Sequence, residues 1–115
     1  MSLESEIVEA GRRLYLAGLV ASNDGNISAV DSDGTVITTP SGVSKGYMTE
    51  DMLIRTDMSG RVLEAAEGLK PSSELKMHLA IYRESPALRA VVHAHPPIAT
   101  AFASAGQPLD LAVAQ

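Results

Sequence analysis

The run Val91-Val92-His93-Ala94-His95-Pro96-Pro97 places two histidines one residue apart at the end of an apolar stretch. In a strand, alternate side chains share a face, so His93 and His95 would point the same way with Cα atoms about 7 Å apart. Two imidazoles so placed either grip one divalent metal ion or are ordinary, partly buried histidines. A zinc site with an open position takes three protein ligands, and this strand offers two. The third would be Glu74, His78 or a group outside these 115 residues. Glu74 and His78 are four apart, hence on one helical face. Glu-x-x-x-His is a weak signal alone, and His78 reads as structural or supporting rather than as a ligand. Glu74 reads either as a surface carboxylate favoured by the helix dipole or as a general acid/base or metal ligand.

Three other short stretches carry groups suited to an anion. Gly25-Asn26, in SNDGN, lets backbone approach a ligand and turns N–H groups outward. Ser41-Gly42, in TTPSG, adds a hydroxyl and amides after a strand end. Ser72-Ser73 precede a helical pattern, where unpaired amides and the positive end of the helix dipole favour negative charge. Each has a plainer reading, as a tight turn for the first two and as a helix cap for the serines.

The elements that must position these groups follow from periodicity. Leu3, Ile7, Ala10, Leu14 and Ala17 form one stripe and predict a helix over 3–19, capped by Ser2 and ended near Gly18. Residues 27–30 and 35–39, separated by Asp31-Ser32-Asp33-Gly34, predict a β-hairpin. Residues 53–58 and 61–64 flank Ser59-Gly60 and predict a second. Thr49 opens a single helical turn between the hairpins. Ser72 or Ser73 caps a helix running to about Glu84, with Leu75, Leu79 and Tyr82 facing the core. Leu88 to His95 reads as a strand, Ile98 to Ala105 as a third helix starting at Pro96-Pro97, and Leu109 to Gln115 as the start of a further apolar element.

Composition narrows the function classes. The net charge of -5 argues against nucleic acid and anionic membrane surfaces as partners. The chain has no cysteine, which excludes disulfides and thiolate metal sites and fits a cytoplasmic location. Glu4, Glu6 and Glu9 stand where a signal peptide would be basic and then apolar. No apolar run approaches the ~18 residues of a membrane span.

The motifs GNIS, TTPSG, PSSE and VVHAHP, in this order and spacing, resemble the class II aldolase/adducin head family, whose best-known member type is L-fuculose-phosphate aldolase. The resemblance runs in register from the first helix to the last residue. It implies a three-layer α/β/α fold with a largely antiparallel central sheet. The family domain is about twice this length, so residues 1–115 are expected to be the N-terminal part of one such domain, incomplete at the C-terminus. The resemblance further implies that Gly25, Asn26, Ser41, Gly42, Ser72 and Ser73, with Asn23 as a weaker candidate, hold a sugar phosphate. It makes Glu74 the acid/base and a metal ligand, and His93 and His95 ligands of Zn2+ or another divalent metal. The implied reaction is cleavage of a ketose 1-phosphate, such as fuculose 1-phosphate, to dihydroxyacetone phosphate and an aldehyde. Pentulose-phosphate 4-epimerisation and thioribulose-phosphate dehydration are alternatives within the family, and a non-catalytic, adducin-head-like assembly module is a third. A homotetramer is the expected assembly. Two family features are missing from the sequence: no histidine follows His95 to serve as a third zinc histidine, and Leu109 to Gln115 contains no tyrosine for a neighbouring subunit's site.

Overall fold

The computed structural model describes residues 2–21 and 23–95. The expected helix at Ile98 to Ala105 and the apolar segment at Leu109 to Gln115 lie outside them. Helix α1 spans Leu3–Leu16 and is opened by Ser2, whose side chain accepts the Ser5 N–H at 3.1 Å. It stops three residues before the predicted end. Ala17 N–H returns to Arg13 O at 2.9 Å, and Gly18 takes φ 73°, a left-handed turn that a side chain would resist.

The sheet comprises β1 (Asn26–Val30), β2 (Val36–Thr38), β3 (Ile54–Thr56), β4 (Val62–Glu64) and β5 (Ala90–His93) in the order β4-β3-β2-β1-β5. Every pairing is antiparallel. Both predicted hairpins form, and each turns at a glycine with positive φ, Gly34 at 85° and Gly60 at 93°. β5 is shorter than expected, so His95 lies just beyond the paired strand, with its N–H on Leu19 O at 3.1 Å. Thr49 precedes the short 3-10 turn Glu50–Met52 without capping it, because its hydroxyl bonds to the Asp51 side chain instead.

Alternation along the strands builds two cores. Ile27, Ala29 and Ile37 face α1 and pack with Ile7, Met48 and Leu53. Val30 and Val36 face the other way and pack with Leu75, Leu79 and Tyr82 of helix α2, Leu75–Glu84. The sheet is thus covered on both faces, which is the three-layer α/β/α arrangement. No helix among the described residues is long and apolar enough to cross a membrane.

One close approach sets the seat of α1. A Cβ on Gly11 would lie 2.5 Å from Lys45 O and 2.7 Å from Met48 Cε. Gly11→Ala would gain about 1 kcal/mol of helix propensity but force apart packed backbone at a cost of about 1–3 kcal/mol. The clash wins because one neighbour is a carbonyl of the main chain. Gly11→Ala is expected to lower stability by about 1 kcal/mol, read as a lower urea midpoint at unchanged slope.

The sheet's polarity places the functional groups. β1 begins, β2 and β5 end, and α2 begins at the same end of the molecule. The register Asn26↔His93 puts Gly25-Asn26 beside the histidine pair. The antiparallel bridge Pro40↔Pro71 joins the segment that leads into Ser41-Gly42 to the one that leads into Ser72-Ser73.

Candidate active site

Glu74 stands at the N-cap of α2 rather than within its first turn, and its carboxylate makes no cap hydrogen bond. Ser72 closes the turn just ahead of the helix. Its Oγ accepts the Glu74 N–H at 3.2 Å and its carbonyl accepts the Leu75 N–H at 3.1 Å. The serine reading is therefore corrected: the helix starts at Leu75, two or three residues after the expected cap, because Ser72 closes a turn ahead of it. The Glu74 carboxylate is left free to reach across to β5.

There it meets both histidines. Glu74 Oε2 contacts His93 Nδ1, and Oε1 lies 3.9 Å from His95 Nε2. The two imidazole centroids are 4.7 Å apart. One ligand atom from each of the three residues falls within 4.8 Å of the others. Ligands at ~2.1 Å from a tetrahedral zinc stand about 3.4 Å apart, so small side-chain rotations suffice to close the set around one ion. The side chains are 28 to 40% exposed, which leaves the cluster open on one side.

Unpaired polar atoms point to the same place. Among the described residues, the buried side-chain nitrogens and oxygens without a hydrogen-bond partner are Asn26 Nδ2, Glu74 Oε2, His78 Nε2 and His93 Nδ1. Buried polar atoms are ordinarily paired. Here four orphans sit on residues adjacent by register, contact or ring proximity, His78 and His93 being 6.5 Å apart between centroids. An oxygen and an imidazole nitrogen facing each other unpaired suit a shared cation. The donor set of two imidazoles and a carboxylate matches a divalent metal of the zinc type.

The expected anion residues divide into two neighbouring groups. Asn26 is fully buried, with Oδ1 accepting from Thr39 Oγ1 at 2.6 Å and Thr38 Oγ1 at 3.3 Å, so its amide nitrogen is the free end. Gly25 has φ 89°, and a Cβ there would meet Val20 Cγ1 at 2.7 Å and His93 O at 3.1 Å. The Ser41 N–H is not free, since it donates to Lys70 O at 2.8 Å; what Ser41 offers is its exposed hydroxyl beside Gly42. Ser73 is exposed, and the Ser72 hydroxyl keeps its proton to donate.

His78 is held away from the Glu74–His93–His95 group. Its Nδ1 lies 2.6 Å from Ser28 Oγ, which in turn lies 2.7 Å from Tyr82 OH. Burial first, and the neighbouring His93 second, lower its pKa to about 4. Between pH 6.5 and about 4 the unfolded chain binds a proton that the folded one refuses, so stability is full above pH 6.5 and falls as the pH drops through this window. The loss is about 3 kcal/mol. Urea titrations in a chelator at pH 7.5 and 4.5 should show it, and His78→Gln should flatten the slope while lowering stability at pH 7.5.

Lys45 was not marked by its sequence context, a loop between glycines with no periodic pattern. It is 2% exposed and belongs to this end of the molecule. Nor did the sequence signal the Ser28–His78–Tyr82 network, beyond a serine at a strand position that points inward.

With this geometry in view, comparison with known proteins is decisive. Residues 5–115 match the model of the class II aldolase and adducin N-terminal domain. The chain belongs to that family. L-ribulose-5-phosphate 4-epimerase UlaF of Salmonella paratyphi C (strain RKS4594) is 42% identical over 105 residues, which cover 90% of this chain and 45% of that protein. The L-fuculose 1-phosphate aldolase from Glaciozyma antarctica PI12 superposes with a TM-score of 0.83 at 27% identity, over 93% of this chain and 45% of that one. The L-fuculose-1-phosphate aldolase from Thermus thermophilus gives a TM-score of 0.71 at 33% identity, over 87% and 49%. The chain thus spans a little under half the length of these relatives. The predicted family and fold class both stand.

Proposed function

We propose that the protein carrying this chain is a metal-dependent enzyme that breaks a carbon–carbon bond of a ketose phosphate, an aldehyde-lyase of the aldol type. The observation that carries the reading is the convergence of Glu74 with His93 and His95 beside two stretches suited to a phosphoryl group. Glu74, His93 and His95 would hold the metal. Bound there, a divalent cation would polarise the ketose carbonyl and offset the negative charge that cleavage releases.

The chain's own groups do the rest. Ser41, Gly42, Ser72, Ser73, Gly25 and Asn26 would bind the phosphate and so fix the reacting carbons beside the three ligands. Glu74 would take the proton from the C4 hydroxyl as the C3–C4 electron pair moves onto C3. That step leaves an aldehyde and an enediolate. The same carboxyl then returns the proton to C3, giving dihydroxyacetone phosphate. We place residues 1–115 as the N-terminal part of a single domain of a soluble, homo-oligomeric protein.

The 42% identity to an L-ribulose-5-phosphate 4-epimerase favours a second reading. Inverting C4 of a 2-ketose by the same cleavage requires only that the aldehyde turn over and be recaptured before it leaves. The deciding experiment incubates the full polypeptide with fuculose 1-phosphate and ribulose 5-phosphate, with and without EDTA. Release of dihydroxyacetone phosphate that EDTA stops supports the lyase. A changed C4 configuration without release supports the epimerase. Metal-independent turnover, or none in zinc-loaded protein, overturns both.

A further inference from the structure

Lys45 is 2% exposed, yet no carboxylate among the described residues forms an ion pair with it. Its Nζ donates to Val43 O at 2.7 Å and to Asn23 O at 3.3 Å. These carbonyls belong to two different loops, the one that leads into Gly25-Asn26 and the one that follows Ser41-Gly42. A single buried side chain therefore ties the two anion-suited loops together.

The lysine is not free to swing into solvent. α1 closes over its loop from behind, with Gly11 admitting Lys45 O and with Gly46 pressed against the Tyr15 ring, where any Cβ would collide. Burial lowers the lysine's pKa, and the charges of Asp24 and Glu74 oppose that only from a distance. A buried cation satisfied by neutral carbonyls alone is costly for a fold to keep. Close in sequence to Asn23 sits the buried Asn26 Nδ2, a donor that has no acceptor. Donor and charge together match a ligand that brings several acceptor oxygens and negative charge, which is what a phosphoryl group has.

We propose that Lys45 is a positioning residue for the phosphate site: it clamps the 23–26 and 41–44 loops against each other and provides the internal positive charge that a bound phosphoryl group neutralises. The inference rests on the sugar-phosphate reading above. It is tested on the full polypeptide by calorimetric titration with inorganic phosphate, alongside zinc content. Lys45→Met and Lys45→Gln should each weaken phosphate binding at least tenfold while zinc stoichiometry stays at the wild-type value. Phosphate binding as tight as wild type in either variant overturns the inference. Absence of phosphate binding in the wild type itself instead removes the sugar-phosphate reading. Should the variants fail to fold, the 15Nζ resonance of Lys45 in the wild type answers the question: it should move on phosphate titration, and a stationary signal overturns the inference.

Discussion

Glu74→Gln is expected to lower turnover of the sugar phosphate by about 10^3-fold, within the range for loss of a general acid/base. The substitution keeps the side chain's size and its place at the N-cap, where the carboxylate makes no hydrogen bond to the helix. The fold should be untouched, because Ser72 rather than Glu74 closes the turn that starts α2. What disappears is a group able to accept and return a proton, together with the charged partner of His93. The comparison that isolates the role is His78→Gln, four residues along the same helix and bonded to Ser28 instead. Steady-state rates for both variants, with zinc content measured on the same samples, separate proton transfer from metal loss. A Glu74→Gln enzyme with zinc bound and turnover within threefold of wild type would remove Glu74 from the reaction.

The second large effect concerns metal affinity. His93→Ala and His95→Ala should each weaken zinc binding by at least ~100-fold, since even changes to groups that only support ligands cost 10–100-fold. The two are not equivalent. His95 is 40% exposed and lies beyond the paired part of β5, so its removal should cost little stability. His93 is in register with the buried Asn26 and lies 6.5 Å, centroid to centroid, from the buried His78 ring, so its loss leaves space inside the fold. His93→Ala should therefore show both weaker zinc binding and lower stability without metal, whereas His95→Ala shows only the former. Competition with a chromophoric chelator, paired with urea denaturation in EDTA, reads both quantities. Unchanged zinc affinity in either variant would exclude that histidine as a ligand.

Much of this end of the molecule was legible in the sequence because its signals are local. His-x-His at the end of an apolar run, a glycine in a polar loop and paired serines ahead of a helical pattern each follow from short-range periodicity. The hairpins were legible for the same reason, since Asp33-Gly34 and Ser59-Gly60 carry the turn chemistry in adjacent residues. Helix α1 was overextended by three residues because the apolar stripe runs on to Ala17, which is already the C-cap, before Gly18 turns left-handed. The misplaced α2 cap has a related cause: two serines and a glutamate compete for one position, and only the backbone decides that Ser72 bonds back to Glu74.

What escaped is what tertiary structure alone creates. Ser28 meets His78 and Tyr82 across segments that share no sequence pattern. Ser41 loses its amide to Lys70, a partner set by the Pro40↔Pro71 bridge. Lys45 has the composition of a surface loop residue and is nonetheless enclosed, because Gly11 and Gly46 bring α1 down upon it.

The pairing of β5 with β1 carries a kinetic consequence. Asn26 and His93 are opposite one another in the sheet yet roughly 70 positions apart in the chain, a separation whose closure entropy must be met before any contact rewards it. The hairpins joining β1 to β2 and β3 to β4 need no such search. During refolding the hairpin end should therefore order early, and the chemical end should assemble only when β5 docks. Acquisition of zinc by the refolding chain would then report the docking of β5, separately from the earlier formation of the hairpins.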